Sequence, residues 1–402
     1  MIRGILRVFI MTVLSFILVT AAFGGGYASS RIAFPPALPP DGGAPADWKP
    51  YFPVFWEAWN YVHQDFYKTP IDDPSLVYGA VGGMVDALGD PHTGFTDAKT
   101  AKISSSQLQG SFEGIGATVE MREGRLTIVA PIRDSPAERA GLLPNDVVLQ
   151  VDDTIIQNMD INQAVSLIRG PKGTSVKLVI QRAKTPVFTV SVVRDTIRTP
   201  FVESRMIEGT KIAYLRLNDF GATAPDEMHA ALQDLLAQKP TGLIFDLRSD
   251  PGGYLTVAVD VASEFIKGGN TVLIEKDKFG HAQELKSKNG GLATDIPMVL
   301  LVNGGSASAS EIVSAAIKDY GRATLIGVKT YGKGSVQNVH SLSDGSELRV
   351  TIAHFFSPKG NEINDVGVQP DIKVDLTSDD IAAKRDPQLD AAVKFLNDNY
   401  GK

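Results

Sequence analysis

Met298-Val-Leu-Leu-Val-Asn-Gly-Gly-Ser-Ala-Ser-Ala-Ser-Glu-Ile-Val313 begins as an unbroken apolar run, turns through two glycines and three alternating serines, and continues into a helix-like segment. In that segment Ile312, Val313, Ala316, Ile317 and Tyr320 share one face, and Gly321 follows. A strand with no polar face is buried on both sides, as the strands of parallel sheets are. Working outward, Ile212-Ala-Tyr-Leu-Arg-Leu217, Gly242-Leu-Ile-Phe-Asp-Leu247 and Ala323-Thr-Leu-Ile-Gly-Val328 have the same character, and helical spacing fills 224–238, 255–267 and 309–320. Strand, helix, strand at this interval predicts an α/β core with a largely parallel sheet, whose site lies at the carboxyl ends of the strands.

Three strand-end segments carry residues capable of chemistry. The serines 306, 308 and 310 sit at a strand-to-helix turn, where a hydroxyl feels the positive end of the helix and the negative charge of an acyl-transfer intermediate is favoured. The competing reading of a serine there is a plain N-cap. Tyr331-Gly-Lys-Gly-Ser-Val-Gln337 follows the next strand, so the two loops can meet. Lys333 between glycines reads either as a solvated loop residue or as a general base, and the second role needs burial that lowers its pKa. Neither Gly170-Pro-Lys-Gly-Thr-Ser175 nor Gly332-Lys-Gly-Ser335 has the spacing of a phosphate loop. Asp246-Leu-Arg-Ser-Asp-Pro-Gly-Gly253 closes a third strand; its tandem glycines turn the chain, present unobstructed N–H groups to an oxyanion, or both.

Upstream, Gly116-Ala-Thr-Val-Glu-Met121, Arg125-Leu-Thr-Ile-Val-Ala130, Asp146-Val-Val-Leu-Gln-Val151 and Val176-Lys-Leu-Val-Ile-Gln181 alternate as short strands. Two short helices interrupt them. One starts at a Ser135 cap with Pro136 at its first position and ends before Gly141; the other spans 162–169. Residues 111–195 therefore form a β-rich module, preceded by a helical region over 50–110 and followed by the α/β core over 196–378 and a C-terminal helix over 379–402. At the start, Arg3 and Arg7 precede a charge-free, largely apolar run from Val8 to Tyr27. Residues 1–30 are thus expected to target the chain to a membrane with its body exported, either cleaved near Ala28 as a signal peptide or retained as an anchor. The Pro-rich stretch 31–49 reads as an extended linker.

The chain has 402 residues, 43% of them hydrophobic, with a net charge of −7, so it builds several cores and lacks the basic footprint of a nucleic-acid binder. With no cysteine, thiol nucleophiles, disulfides and thiolate metal sites are excluded, which suits an oxidising compartment. His63, His92, His229, His281, His340 and His354 have no metal-ligand spacing, and neither a metal nor a cofactor is expected. A Ser/His/Asp arrangement using His340 or His354 stays open at this level.

From about residue 50 onward the chain resembles the C-terminal processing peptidases, the tail-specific proteases of the Ser/Lys type. The resemblance rests on Asn303-Gly-Gly-Ser-Ala-Ser-Ala-Ser-Glu311, on 331–337 and 246–253 as quoted, and on Phe355-Phe-Ser-Pro-Lys-Gly360 followed by Gly367-Val-Gln-Pro-Asp371. It implies a multidomain serine endopeptidase in which a PDZ domain lies between the helical region and the α/β protease core. Ser308 would be the nucleophile, Lys333 its base, and Gln337, taken as one helical turn on, would orient the lysine. Gly253 and Ala309 would form the oxyanion hole. Glu113-Gly-Ile-Gly-Ala117 would be the carboxylate-binding loop, with Gly114, Ile115, Gly116 and Ala117 receiving the free, apolar C-terminus of a protein substrate. Arg169 is a candidate for coupling this domain to the core or for sensing the carboxylate; a favourable cation at a helix end is the simpler reading. An adaptor or regulatory partner is also implied by the family, while contact with the membrane is expected only through the N-terminal segment. The alternative from another class is a non-catalytic PDZ scaffold, which would have lost the serine or the lysine. Asp250 stands where similar enzymes often carry Asn, and little consequence is expected unless its charge points inward.

Overall fold

The computed structural model describes residues 51–401 apart from Asp160 and Lys184. The expected targeting segment and linker lie outside the described residues. Among the described residues, no helix is long and apolar enough to cross a membrane. Two compact units divide the chain, one up to Leu76 and one from Val77. In the first, the helix Phe52–Asp65 has no buried residue; Trp59 stacks on His63 with centroids 4.9 Å apart, and His63 Nε2 lies 2.7 Å from Asp73 Oδ1.

The second unit is organised by a six-stranded sheet in the order Val202–Met206, Ile212–Leu217, Gly242–Asp246, Met298–Val302, Thr324–Gly327, Ile372–Lys373. All pairings are parallel except the first. Side chains alternate across a strand, so each apolar run serves two cores. Leu243, Phe245, Leu300 and Val302 pack with the helices Ala224–Ala237, Leu255–Ser263 and Ala309–Asp319 on one face. Ile244, Val299 and Leu301 pack with Ala392 and Leu396 of the helix Pro387–Tyr400 on the other. Every residue of Gly242–Asp246 and Met298–Val302 is buried, which is why neither strand has a polar face. Each buried Leu, Val or Phe contributes about 1.5–3 kcal/mol relative to exposure. The last helix is also pinned electrostatically: Arg248 donates to Asp246 and, through Nη1 and Nη2, to both oxygens of Asp386 at 2.8 and 2.9 Å.

The β-rich module matches its expected pattern, with Ala117–Arg122, Arg125–Pro131, Val147–Val151 and Ser175–Gln181 in one antiparallel sheet around Leu126, Ile128, Leu178 and Ile180. Ser135 Oγ accepts from Glu138 N as the cap of its short helix. The structure adds Phe188–Val193 to this sheet and pairs Ser111–Gly114 with Asp195–Arg198, so the strands that enter and leave the module close on each other.

An antiparallel sheet of Gly94–Thr96, Glu347–Phe356, Thr271–Asp277, Ala282–Lys286 and Ser335–Ser341 was not anticipated. It corrects one reading directly. Gln337 is not a helical turn beyond Lys333, because the chain after the lysine loop extends into the strand Ser335–Ser341, paired along its length with Glu347–Phe356.

Candidate active site

The strand Met298–Val302 ends below a turn in which three alternating serines have different duties. Ser306 Oγ donates to the Leu247 carbonyl at 2.7 Å and Ser310 Oγ to the Asp250 carbonyl at 2.9 Å, and both side chains are fully buried. These two tie the helix start to the neighbouring strand-end loop. Ser308 between them lines a cavity of 360 Å³. It occupies the N-cap position of Ala309–Asp319, yet its backbone has φ 54° and ψ −112°, not the extended conformation of an ordinary cap. Such a conformation costs on the order of 1–3 kcal/mol and persists only where the surroundings impose it.

The surroundings do so through Glu311, the last residue of the motif 303–311. Glu311, completely buried, accepts at Oε2 from the amides of Ser308 at 2.9 Å and Lys333 at 2.8 Å. At Oε1 it accepts from the Thr330 hydroxyl at 2.5 Å and the Gly332 amide at 2.6 Å. One carboxylate thus joins the turn that presents the serine to the loop that presents the lysine. The signal available in the sequence was the Ser308-x-x-Glu311 spacing, which marks a capping box. The two C-terminal motifs support the same loop: Val368 N donates to Thr330 Oγ1 at 2.7 Å, and Phe355 N to the Gly334 carbonyl at 2.8 Å.

Lys333 lines the same cavity as Ser308. Burial pushes its pKa below the ordinary lysine range, the positive charge of Arg349 pushes the same way, and Glu311 opposes both. Arg349, from the antiparallel sheet, also lines the cavity and went unremarked in the sequence. Gln337 lines it too, but its Nε2 donates to Ser335 Oγ at 2.7 Å and, more weakly, to Thr351 Oγ1 at 3.4 Å.

The tandem glycines complete the wall. A Cβ on Gly252 would lie 2.7 Å from the Ala307 carbonyl oxygen and 2.8 Å from the Ala309 amide; one on Gly253 would lie 2.5 Å from the Phe220 carbonyl oxygen. With φ of 103° and 149°, both positions also favour glycine. The turn is stitched to the Ser308 turn by Ala307 N donating to the Asp250 carbonyl at 3.0 Å, and to the neighbouring strand end by Tyr254 N donating to the Phe220 carbonyl at 3.0 Å. Gly253 and Ala309 meet at the cavity. Asp250 is fully buried, with the Gly252 amide on Oδ1 at 2.9 Å, and does not line the cavity itself.

The remaining candidates lie elsewhere. Among the described residues no histidine lines the Ser308 cavity. His229 and His281 face Glu264 and Asp277, and no group of three or more His, Cys, Asp or Glu side chains is placed to hold a metal. In the 114–117 segment Ile115 is buried, its carbonyl accepts from Ala137 N at 2.7 Å, and the Gly116 carbonyl accepts from Ser135 Oγ at 2.8 Å. Arg169 stacks over Phe112 at 4.5 Å and lines a different cavity, of 420 Å³, with Lys99, Lys102 and Glu113.

The description of peptidase family S41 matches residues 211–374, and that of a PDZ domain matches residues 127–182. The chain is similar to the carboxy-terminal processing protease CtpA of Bacillus subtilis, 36% identical over 345 residues that span 86% of this chain and 72% of that one. It is likewise similar to the carboxy-terminal-processing protease of Bartonella bacilliformis, 38% identical over 314 residues, covering 77% of this chain and 72% of that one. Among solved structures, a putative S41 protease from Bacteroides fragilis shares the fold with a TM-score of 0.52 at 16% identity, covering 83% of this chain and 91% of that one.

Proposed function

The chain belongs to peptidase family S41 as a PDZ-containing carboxy-terminal processing serine protease, and from that premise we propose that it cleaves exported proteins with a Ser308/Lys333 dyad after reading their free C-termini. The observation that carries the dyad is the convergence of Ser308, Lys333, Gly253 and Ala309 on one cavity that no described histidine lines. Neutral Lys333 takes the hydroxyl proton as Ser308 Oγ attacks the scissile carbonyl carbon. The resulting oxyanion accepts from the Gly253 and Ala309 amides; the amine leaves with a proton from Lys333, and water then releases the acyl group from Ser308. Gln337 contributes by ordering the strand face beside the lysine through Ser335. A non-catalytic scaffold would have no use for this constellation.

Tail recognition rests on the PDZ module, whose 114–117 segment precedes the strand Ala117–Arg122 and is braced by the Ser135 helix, leaving the strand and the helix Ile161–Ile168 to receive an extended apolar terminus. The test compares an unfolded protein substrate with a free and with an amidated C-terminus. Amidation removes a charge whose hydrogen bonds are worth roughly 1.5–3 kcal/mol, so kcat/KM should fall about tenfold to a hundredfold. Equal cleavage of both substrates would remove tail reading while leaving the dyad untouched.

A further inference from the structure

The loop that carries the tandem glycines is held by a carboxyl group whose hydrogen bonding does not suit an ionised form. Asp250 is fully buried; its Oδ1 accepts one amide, from Gly252, and its Oδ2 has no partner among the described residues. An ionised carboxylate buried with one donor leaves a charge uncompensated, which costs far more than leaving one oxygen of the neutral acid without a partner. The same residue's carbonyl accepts from Ala307 N and Ser310 Oγ, so Asp250 sits at the join between the glycine turn and the nucleophile turn. A second carboxyl stands close by. Asp219 lines the Ser308 cavity, its Oδ1 also lacks a partner, and that oxygen lies 2.9 Å from the place a Cβ on Gly253 would take.

We propose that Asp250 is a positioning residue that must remain a neutral acid while Ser308 reacts, and that its ionisation ends activity on the alkaline side. The reason is electrostatic. The peptide after the one that Asp250 holds carries the Gly253 amide, and ionised Asp250 would add a second negative charge to that of Asp219 beside the oxyanion that this amide is meant to receive. Burial pushes the Asp250 pKa up to about 8; the Gly252 amide, the Ser310 hydroxyl and the Arg216 guanidinium pull it down, and the charge of Asp219 pushes it further up. Asp219, raised by burial to about 6, carries that charge at neutral pH. Asp219 and Arg216 face Asp250 from the end of the strand Ile212–Leu217, and Ser310 faces it from the helix; Asp246 and Arg248, on its own loop, are tied to each other.

The inference rests on the Ser308 and oxyanion-amide reading, and the test separates the two. Measured as kcat/KM on an unfolded protein substrate with the full chain, wild-type activity should fall on the order of tenfold between about pH 7.5 and about pH 9.5, with the fold intact by circular dichroism. In Asp250→Asn that fall should disappear. In Asp219→Asn it should begin at lower pH, because the neighbouring charge that keeps Asp250 protonated is gone. An alkaline fall in Asp250→Asn equal to wild type, or one that moves to higher pH in Asp219→Asn, overturns the proposal. If Asp250→Asn does not fold, the wild-type and Asp219→Asn profiles still decide it. Turnover by Ser308→Ala would instead overturn the underlying reading, whatever the pH profiles show.

Discussion

The two sheets of the larger unit meet at one cavity and serve it differently. The parallel sheet, buried on both faces, delivers Ser308 and Gly253 on strand-end turns that are closed by Ser306, Ser310 and Asp250. The antiparallel sheet is half exposed; it delivers Arg349 and Gln337 and follows directly from the lysine loop. The first sheet fixes where atoms stand, and the second sets the charge around Lys333. Glu311 couples them, and changes made at each location should therefore have different signatures.

The largest effect is expected at the coupling. Glu311→Ala leaves the amides of Ser308, Gly332 and Lys333 and the Thr330 hydroxyl without their acceptor. A displacement of about 1 Å between serine and lysine costs on the order of a hundredfold in rate, so kcat/KM should fall at least that far, with a lowered Tm. Near-normal activity would show that the two loops are held together by other means.

A change on the antiparallel sheet should act on pH dependence. The Arg349 charge lowers the Lys333 pKa, so Arg349→Met should let it rise. The neutral base then forms only at higher pH, and the acid limb of kcat/KM should move to higher pH than in wild type. A limb that stays in place, or moves to lower pH, would contradict the assigned role. The smallest effect belongs to Gln337→Ala, whose contacts run to Ser335 and Thr351. Losing one ordinary hydrogen bond of about 0.5–1.5 kcal/mol predicts a twofold to tenfold fall in kcat with little change in KM. A loss comparable to that of Lys333→Ala would make the glutamine a direct partner of the lysine.

The same division decided what the sequence could tell. Gly242–Asp246 and Met298–Val302 are apolar on both faces, and such runs are visible without any knowledge of their neighbours. Ser335–Ser341 begins buried and ends exposed, with Asn338, His340 and Ser341 toward solvent, so no periodicity announced it and Gln337 was misplaced onto a helix. The turns that carry Ser308 and Lys333 were legible because both follow strands of the parallel sheet, while the roles of these two residues rest on the family motifs. Glu311 and Arg349 were not, because a buried glutamate at a helix start looks like any capping residue. Its partners at 330–333 are set by the fold alone.

The central claim is that Ser308 and Lys333 act as one unit, and a double-mutant cycle on kcat/KM tests it most directly. Ser308→Ala and Lys333→Ala should each abolish nearly all turnover, and the double variant should be no worse than either, since members of one catalytic unit are not additive. Independent, multiplying losses, or substantial activity in either single variant, would contradict it.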